Sequence, residues 1–65
     1  MNVKVEGVII KVGDWVGFKS DIEQSGKVNR IFSNGTLELY NENGFIGEYI
    51  GGDNFTDVDS EDCWL

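Results

Sequence analysis

Val12-Gly13-Asp14-Trp15-Val16-Gly17-Phe18-Lys19, answered by Gly26-Lys27-Val28-Asn29-Arg30-Ile31, decides how this chain folds. Gly13-Asp14 reads as a tight turn, with the Asp14 carboxylate placed to accept nearby backbone N–H groups. The strand it feeds runs from Trp15 to Lys19, and side chains alternate faces along a strand. Val16 and Phe18 therefore point one way, and Trp15, Gly17 and Lys19 the other.

Upstream, Val3 and Val5 alternate with Lys4 and Glu6, and after Gly7 the alternation resumes as Val8, Ile10 and Val12 against Ile9 and Lys11. Gly7 marks a bend or bulge where the phase shifts. The opening is one kinked strand or two short ones, and its first part is placed to pair with the end of the chain. Downstream, Ser20 to Ser25 is polar with one apolar anchor, Ile22, and reads as a loop. Lys27 to Phe32 returns as a strand, Ser33-Asn34-Gly35 turns it, and Thr36 to Tyr40 runs back. Asn-Gly between alternating segments signals a hairpin, because both residues tolerate positive φ. Leu37 and Leu39 face inward, leaving Thr36, Glu38 and Tyr40 outside.

Asn41-Glu42-Asn43-Gly44 is a second turn, followed by a strand over residues 45–50. Its phase is open: Ile46, Glu48 and Ile50 share a face, or Phe45, Gly47 and Tyr49 do, and a bulge at Gly47 would bring Phe45 and Ile50 both to the core. Gly51-Gly52 ends it. Residues 54–58 add a short closing strand through Phe55, and Asp59-Ser60-Glu61-Asp62 starts a helical turn capped by Asp59 or Ser60. Five or six short strands, nine glycines and no long helical pattern argue for an all-β fold, a small, strongly bent antiparallel barrel with a C-terminal helical turn.

Sixty-five residues make one domain, 1–65. A chain of this size buries only about 60% of its unfolded surface, so a deep cleft is not expected. The chain has one cysteine, Cys63, no histidine and no proline. No internal disulfide can form, and Cys63 reads as a small buried hydrophobe. No apolar run approaches the length of about 20 that spans a bilayer, so the expectation is a soluble, cytoplasmic protein without membrane contact. Residues 1–30 carry five bases against four acids. Residues 31–65 carry eight acids and no base, which gives a net charge of −7 for the whole chain. Phosphate backbones are repelled by such a surface, which makes nucleic acid an unlikely partner and a basic protein surface a suitable one. Solubility alone would also account for the excess acid.

The Gly13-Asp14-Trp15-Val16 and Gly26-Lys27-Val28 to Ile31 segments resemble the first half of SH3-like barrels of the KOW and Tudor type. The resemblance implies an SH3-like barrel. Relative to KOW domains, the chain lacks the basic loops that touch nucleic acid. The stretches Phe18 to Gly26, Gly44 to Gly52 and Val58-Asp59 to Cys63-Trp64 are similar to small uncharacterised proteins of tailed bacteriophages, a likeness over residues 11–64 that implies a phage or prophage source and no activity.

Catalysis needs a poised acid, base, nucleophile or metal. Histidine is absent, Cys63 has no evident activating partner, and the chain is too short to wall a cleft around a carboxylate pair. The reading is a non-enzyme without cofactor. An EF-hand loop counted from Asp53 would need Gly sixth and finds Val58, so no metal site is expected either. What remains is contact chemistry. Trp15, Tyr40 and Tyr49 offer rigid aromatic area, and Glu38, Glu48, Asp57 and Asp59 offer charge; these seven are the expected partner-binding residues. Trp64 either joins them or packs with Trp15 over one end of the barrel. The expected function is an acidic binding module docking on a host or phage protein; in its sharper version the partner handles nucleic acid and the carboxylates imitate DNA phosphates. Two alternatives stay open: a nucleic-acid binder using Lys11, Lys19, Lys27 and Arg30 as a basic stripe, and a virion or structural assembly component. The expected oligomeric state is a monomer or a weak homo-oligomer.

Overall fold

The Gly13-Asp14 turn forms as its residues dictate: the Asp14 carboxylate accepts the Lys11 N–H at 2.9 Å, and the Lys11 carbonyl accepts the Asp14 N–H at 3.0 Å. It belongs to a computed structural model that describes residues 3–47 and 53–65. Six short strands make two antiparallel sheets. β1 (Lys4–Val5) and β2 (Val8–Ile9) form one; β3 (Trp15–Ser20), β4 (Ile22–Ile31), β5 (Thr36–Tyr40) and β6 (Phe55–Asp59) form the other, in that order. A 3-10 turn, Ser60–Asp62, follows, and no α-helix occurs among the described residues.

The alternation puts one apolar row inward from each of the first three strands of the larger sheet. Val16 and Phe18 of β3, Val28 of β4, and Leu37 and Leu39 of β5 are buried, the two leucines with 0% of their surface exposed. Val5 of β1 and the flanking Val3 and Ile10 reach the same core, and Cys63 joins it. Phe45 lies against Phe18 with ring centroids 5.4 Å apart and planes tilted by 59°. Gly26 makes room for it, because a Cβ there would stand 2.9 Å from both the Leu39 Cβ and the Phe45 ring.

The Asn34-Gly35 hairpin forms, though with a three-residue loop. The Gly35 N–H reaches the Phe32 carbonyl at 3.1 Å, the Phe32 N–H reaches the Thr36 carbonyl at 2.9 Å, and only Gly35, at φ 93°, takes the left-handed conformation. The two-residue turn with both central φ positive is instead Glu6-Gly7, at 51° and 79°. The opening segment is therefore two short strands. Val5 sits opposite Val8, and of Val8, Ile10 and Val12, expected to share the inner face, only Ile10 is buried.

Residues 20–25, expected as a loop, are strand. Asp21 at φ 63° reverses the chain, Ser20 pairs with Ile22, and β4 runs on from there with Ile22 exposed. Ladder pairing with β3 outweighs the polar composition. Residues 45–47, expected as strand, are not. Phe45 plugs the core while Ile46 is held by the Gln24 side chain, whose Oε1 accepts the Ile46 N–H at 2.7 Å and whose amide donates to the Ile46 carbonyl. The remainder of that expected strand, residues 48–50, lies outside the described residues.

The expected helical turn is present as the 3-10 turn. The Asp59 carboxylate accepts the Glu61 N–H at 3.0 Å, and the Ser60 N–H donates to the Gly35 carbonyl at 3.0 Å. Beyond it, Trp64 and Gly17 exchange backbone hydrogen bonds of 2.7 and 2.9 Å, which brings the chain's end to the free edge of β3. The Leu65 N–H donates to the Glu6 carboxylate. This single bridge is the contact between the end of the chain and the four-stranded sheet's first strand; β6 itself pairs only with β5 among the described residues.

Candidate functional site

Directly opposed residues in an antiparallel pair share a face, so the register assigns the outer surface row by row. Trp15 stands opposite Lys27, Lys27 opposite Tyr40, and Tyr40 opposite Phe55. Neighbouring strands lie about 4.8 Å apart, which gives this row of three rings and one ammonium a span of about 14 Å. The next row is Arg30, Glu38 and Asp57; the third is Thr36 and Asp59. A bulge at Asn29 carries β4 from one row to the next, and the Asn29 amide donates to Glu38 Oε1 at 2.7 Å.

Five of the seven expected residues thus fall on one outer face: Trp15, Tyr40, Glu38, Asp57 and Asp59. Trp15 is 55% exposed, Asp57 and Asp59 are exposed, and Glu38 and Tyr40 are half-buried. Glu48 and Tyr49 lie outside the described residues. The structure adds Phe55, which lies in the expected closing strand and is 50% exposed, with its ring 4.9 Å from that of Tyr40. Its signal was available, since period two places Phe55 with Asp57 and Asp59 rather than with Thr56 and Val58.

Trp64, the other aromatic candidate of the sequence, lies on β3. Its indole lies on Gly17, where a Cβ would stand 2.2 Å from Nε1, so glycine is what lets the ring sit flush on β3. A shallow groove of about 400 Å³ runs between Trp15 and Trp64 over Gly17, with Glu23 on its rim. A larger groove of about 570 Å³ separates the end of β3, Phe18 to Ser20, from β6, with Asp53, Asp57, Asp59 and Asp62 along it.

Two of the bases stand opposite acids and a third stands between aromatic rings. Lys19 stands opposite Glu23, Arg30 opposite Glu38 with its guanidinium 5.3 Å from the Phe32 ring centroid, and Lys27 between Trp15 and Tyr40. Cys63 is buried, and its thiol donates to the Asp59 carbonyl at 3.5 Å. Burial first, then the nearby Asp62 and Asp59 carboxylates, push its pKa up to about 11, so at neutral pH it is a thiol rather than a nucleophilic thiolate. Among the described residues, no group of three or more acidic or cysteine side chains is arranged to hold a metal ion. No helix among them is long and apolar enough to cross a membrane. Comparison with protein-family models, with curated proteins and with solved structures gives no match for this chain.

Proposed function

We propose that this protein is a non-enzymatic binding module that docks on a basic protein surface through the outer face of the four-stranded sheet, β3 to β6. One observation carries the reading: the register gathers the rings of Trp15, Tyr40 and Phe55 and the carboxylates of Glu38, Asp57 and Asp59 on a single face. Rigid aromatics give contact area at little cost in rotamer entropy, and carboxylates beside them select a cationic partner and speed its approach. The net charge of −7 acts in the same direction.

The scaffold is read as an SH3-like barrel. The strand order β3-β4-β5-β6, the 3-10 turn after β6 and the return of Trp64 to the edge of β3 support that reading. A tailed-phage or prophage source, and hence action in the host cytoplasm, is proposed on the sequence resemblance. The interleaving of Lys19 and Arg30 with Glu23 and Glu38 favours a protein partner over a nucleic acid.

The test is a tagged pull-down from a bacterial lysate, washed at low and high salt, comparing the native chain with a Glu38→Lys/Asp57→Lys variant whose circular dichroism is unchanged. One basic protein retained by the native chain, released by salt and lost in the variant is the expected result. Nuclease-sensitive material, or capture indifferent to the variant, would contradict the proposal.

A further inference from the structure

Among the described residues the backbone of β6 is open along one side, and the ladder fixes which groups face it. Just outside the strands, the Asn41 N–H donates to the Asn54 carbonyl at 3.0 Å and the Ser60 N–H to the Gly35 carbonyl at 3.0 Å, both in register with the β5–β6 pairs. Hydrogen-bonded and non-bonded pairs alternate in an antiparallel ladder. Thr56 and Val58 therefore spend their backbone groups on β5, while Phe55, Asp57 and Asp59 turn theirs away from it. The Cys63 thiol on the Asp59 carbonyl agrees with that direction. Among the described residues no backbone group pairs with the N–H or C=O of Phe55 or Asp57, and the 570 Å³ groove runs along this edge.

An edge of this kind invites another strand, and proteins guard such edges with charge. Antiparallel pairing of two β6 edges would set aspartate against aspartate, which excludes a second copy of this chain as the occupant. Opposite charge reverses the argument. Resting on the docking function above, we infer that a basic, extended segment of the partner adds to β6 as an antiparallel fifth strand. Its residues opposite Asp57 and Asp59 are lysine or arginine, the one opposite Phe55 is apolar or a lysine stem lying on the Phe55 and Tyr40 rings, and those between face Thr56 and Val58 and are small. Main-chain bonds supply the affinity, and the alternating side chains supply the choice of partner.

The probe is a nine-residue peptide with lysine at alternate positions and threonine between, titrated calorimetrically at low salt. Its control is the same peptide N-methylated on every lysine amide, which keeps the charge and removes the N–H groups aimed at β6. The unmodified peptide is expected to bind, and methylation to weaken it by about tenfold or more, as loss of two or more backbone hydrogen bonds requires. The Asp57→Pro variant, which loses both the carboxylate and an N–H that β5 does not use, should lose binding that Asp57→Asn, which loses the charge alone, partly keeps. If both peptides bind equally, strand addition is overturned while docking on a basic partner stands. If neither binds, both fall.

Discussion

The two edges of the four-stranded sheet are built on the same alternation and finished differently. On β3 the outward-turned backbone of Gly17 is taken by Trp64, and the indole of that residue covers the strand. On β6 the outward-turned backbone of Phe55 and Asp57 meets no described partner, and the side chains beside it are two aspartates and a ring. One edge is closed by the chain's own pairing; the other is protected from its own kind by charge. An edge left open and acidic in so small a domain is where a cationic partner gains most, because backbone bonds and ion pairs are offered together.

The largest disturbance is one that reaches both edges through the core they share. Phe45→Ala empties the space beside Phe18, Leu39 and Gly26 and should cost about 3–5 kcal/mol, read as a fall in the urea midpoint. In a domain of this size that is a large part of the total stability. Gly17→Ala acts on the closed edge alone. The new Cβ displaces the Trp64 ring, with an expected loss of about 1–3 kcal/mol and a red shift in tryptophan emission.

Asp59→Ala loosens the turn that carries the chain from the open edge to the closed one. Loss of the carboxylate that accepts the Glu61 N–H should cost about 1 kcal/mol in the same denaturation experiment. Asp57→Lys touches only the open edge and should leave stability within about 0.5 kcal/mol while weakening the edge's binding of basic peptides. The thiol between the edges gives a pH test. Because the folded-state pKa of Cys63 is raised from 9.0 to about 11, its contribution to stability is complete below pH 9 and is lost as pH rises toward 11. A Cys63→Ala variant should lose that alkaline decline in its urea midpoint.

Much of the all-β architecture was legible in the residues. Val16 with Phe18 and Leu37 with Leu39 follow from period two, and Asp14 and Asp59 occupy the turn and cap that their side chains favour. What was not legible depends on partners distant in the chain. Residues 20–25 look like a loop because their polarity says nothing of β3, against which they pair. Period two sets Phe55 on the face of Asp57 and Asp59, but its neighbour there, Tyr40, is given only by the register of β5 on β6. The fit of Trp64 on Gly17 joins residues from opposite ends of the chain, and neither residue's local pattern announces the other. Of the docking face, the charges were visible as composition, while their grouping with the rings required the ladder.

Residue-resolved amide hydrogen exchange of the free protein tests the contrast between the edges most directly. The account predicts that the Gly17 and Trp64 amides exchange slowly, while those of Phe55 and Asp57 exchange at rates close to those of an unstructured peptide. Protection at Phe55 and Asp57 equal to that at Gly17 would mean that the β6 edge is already occupied, and would contradict it.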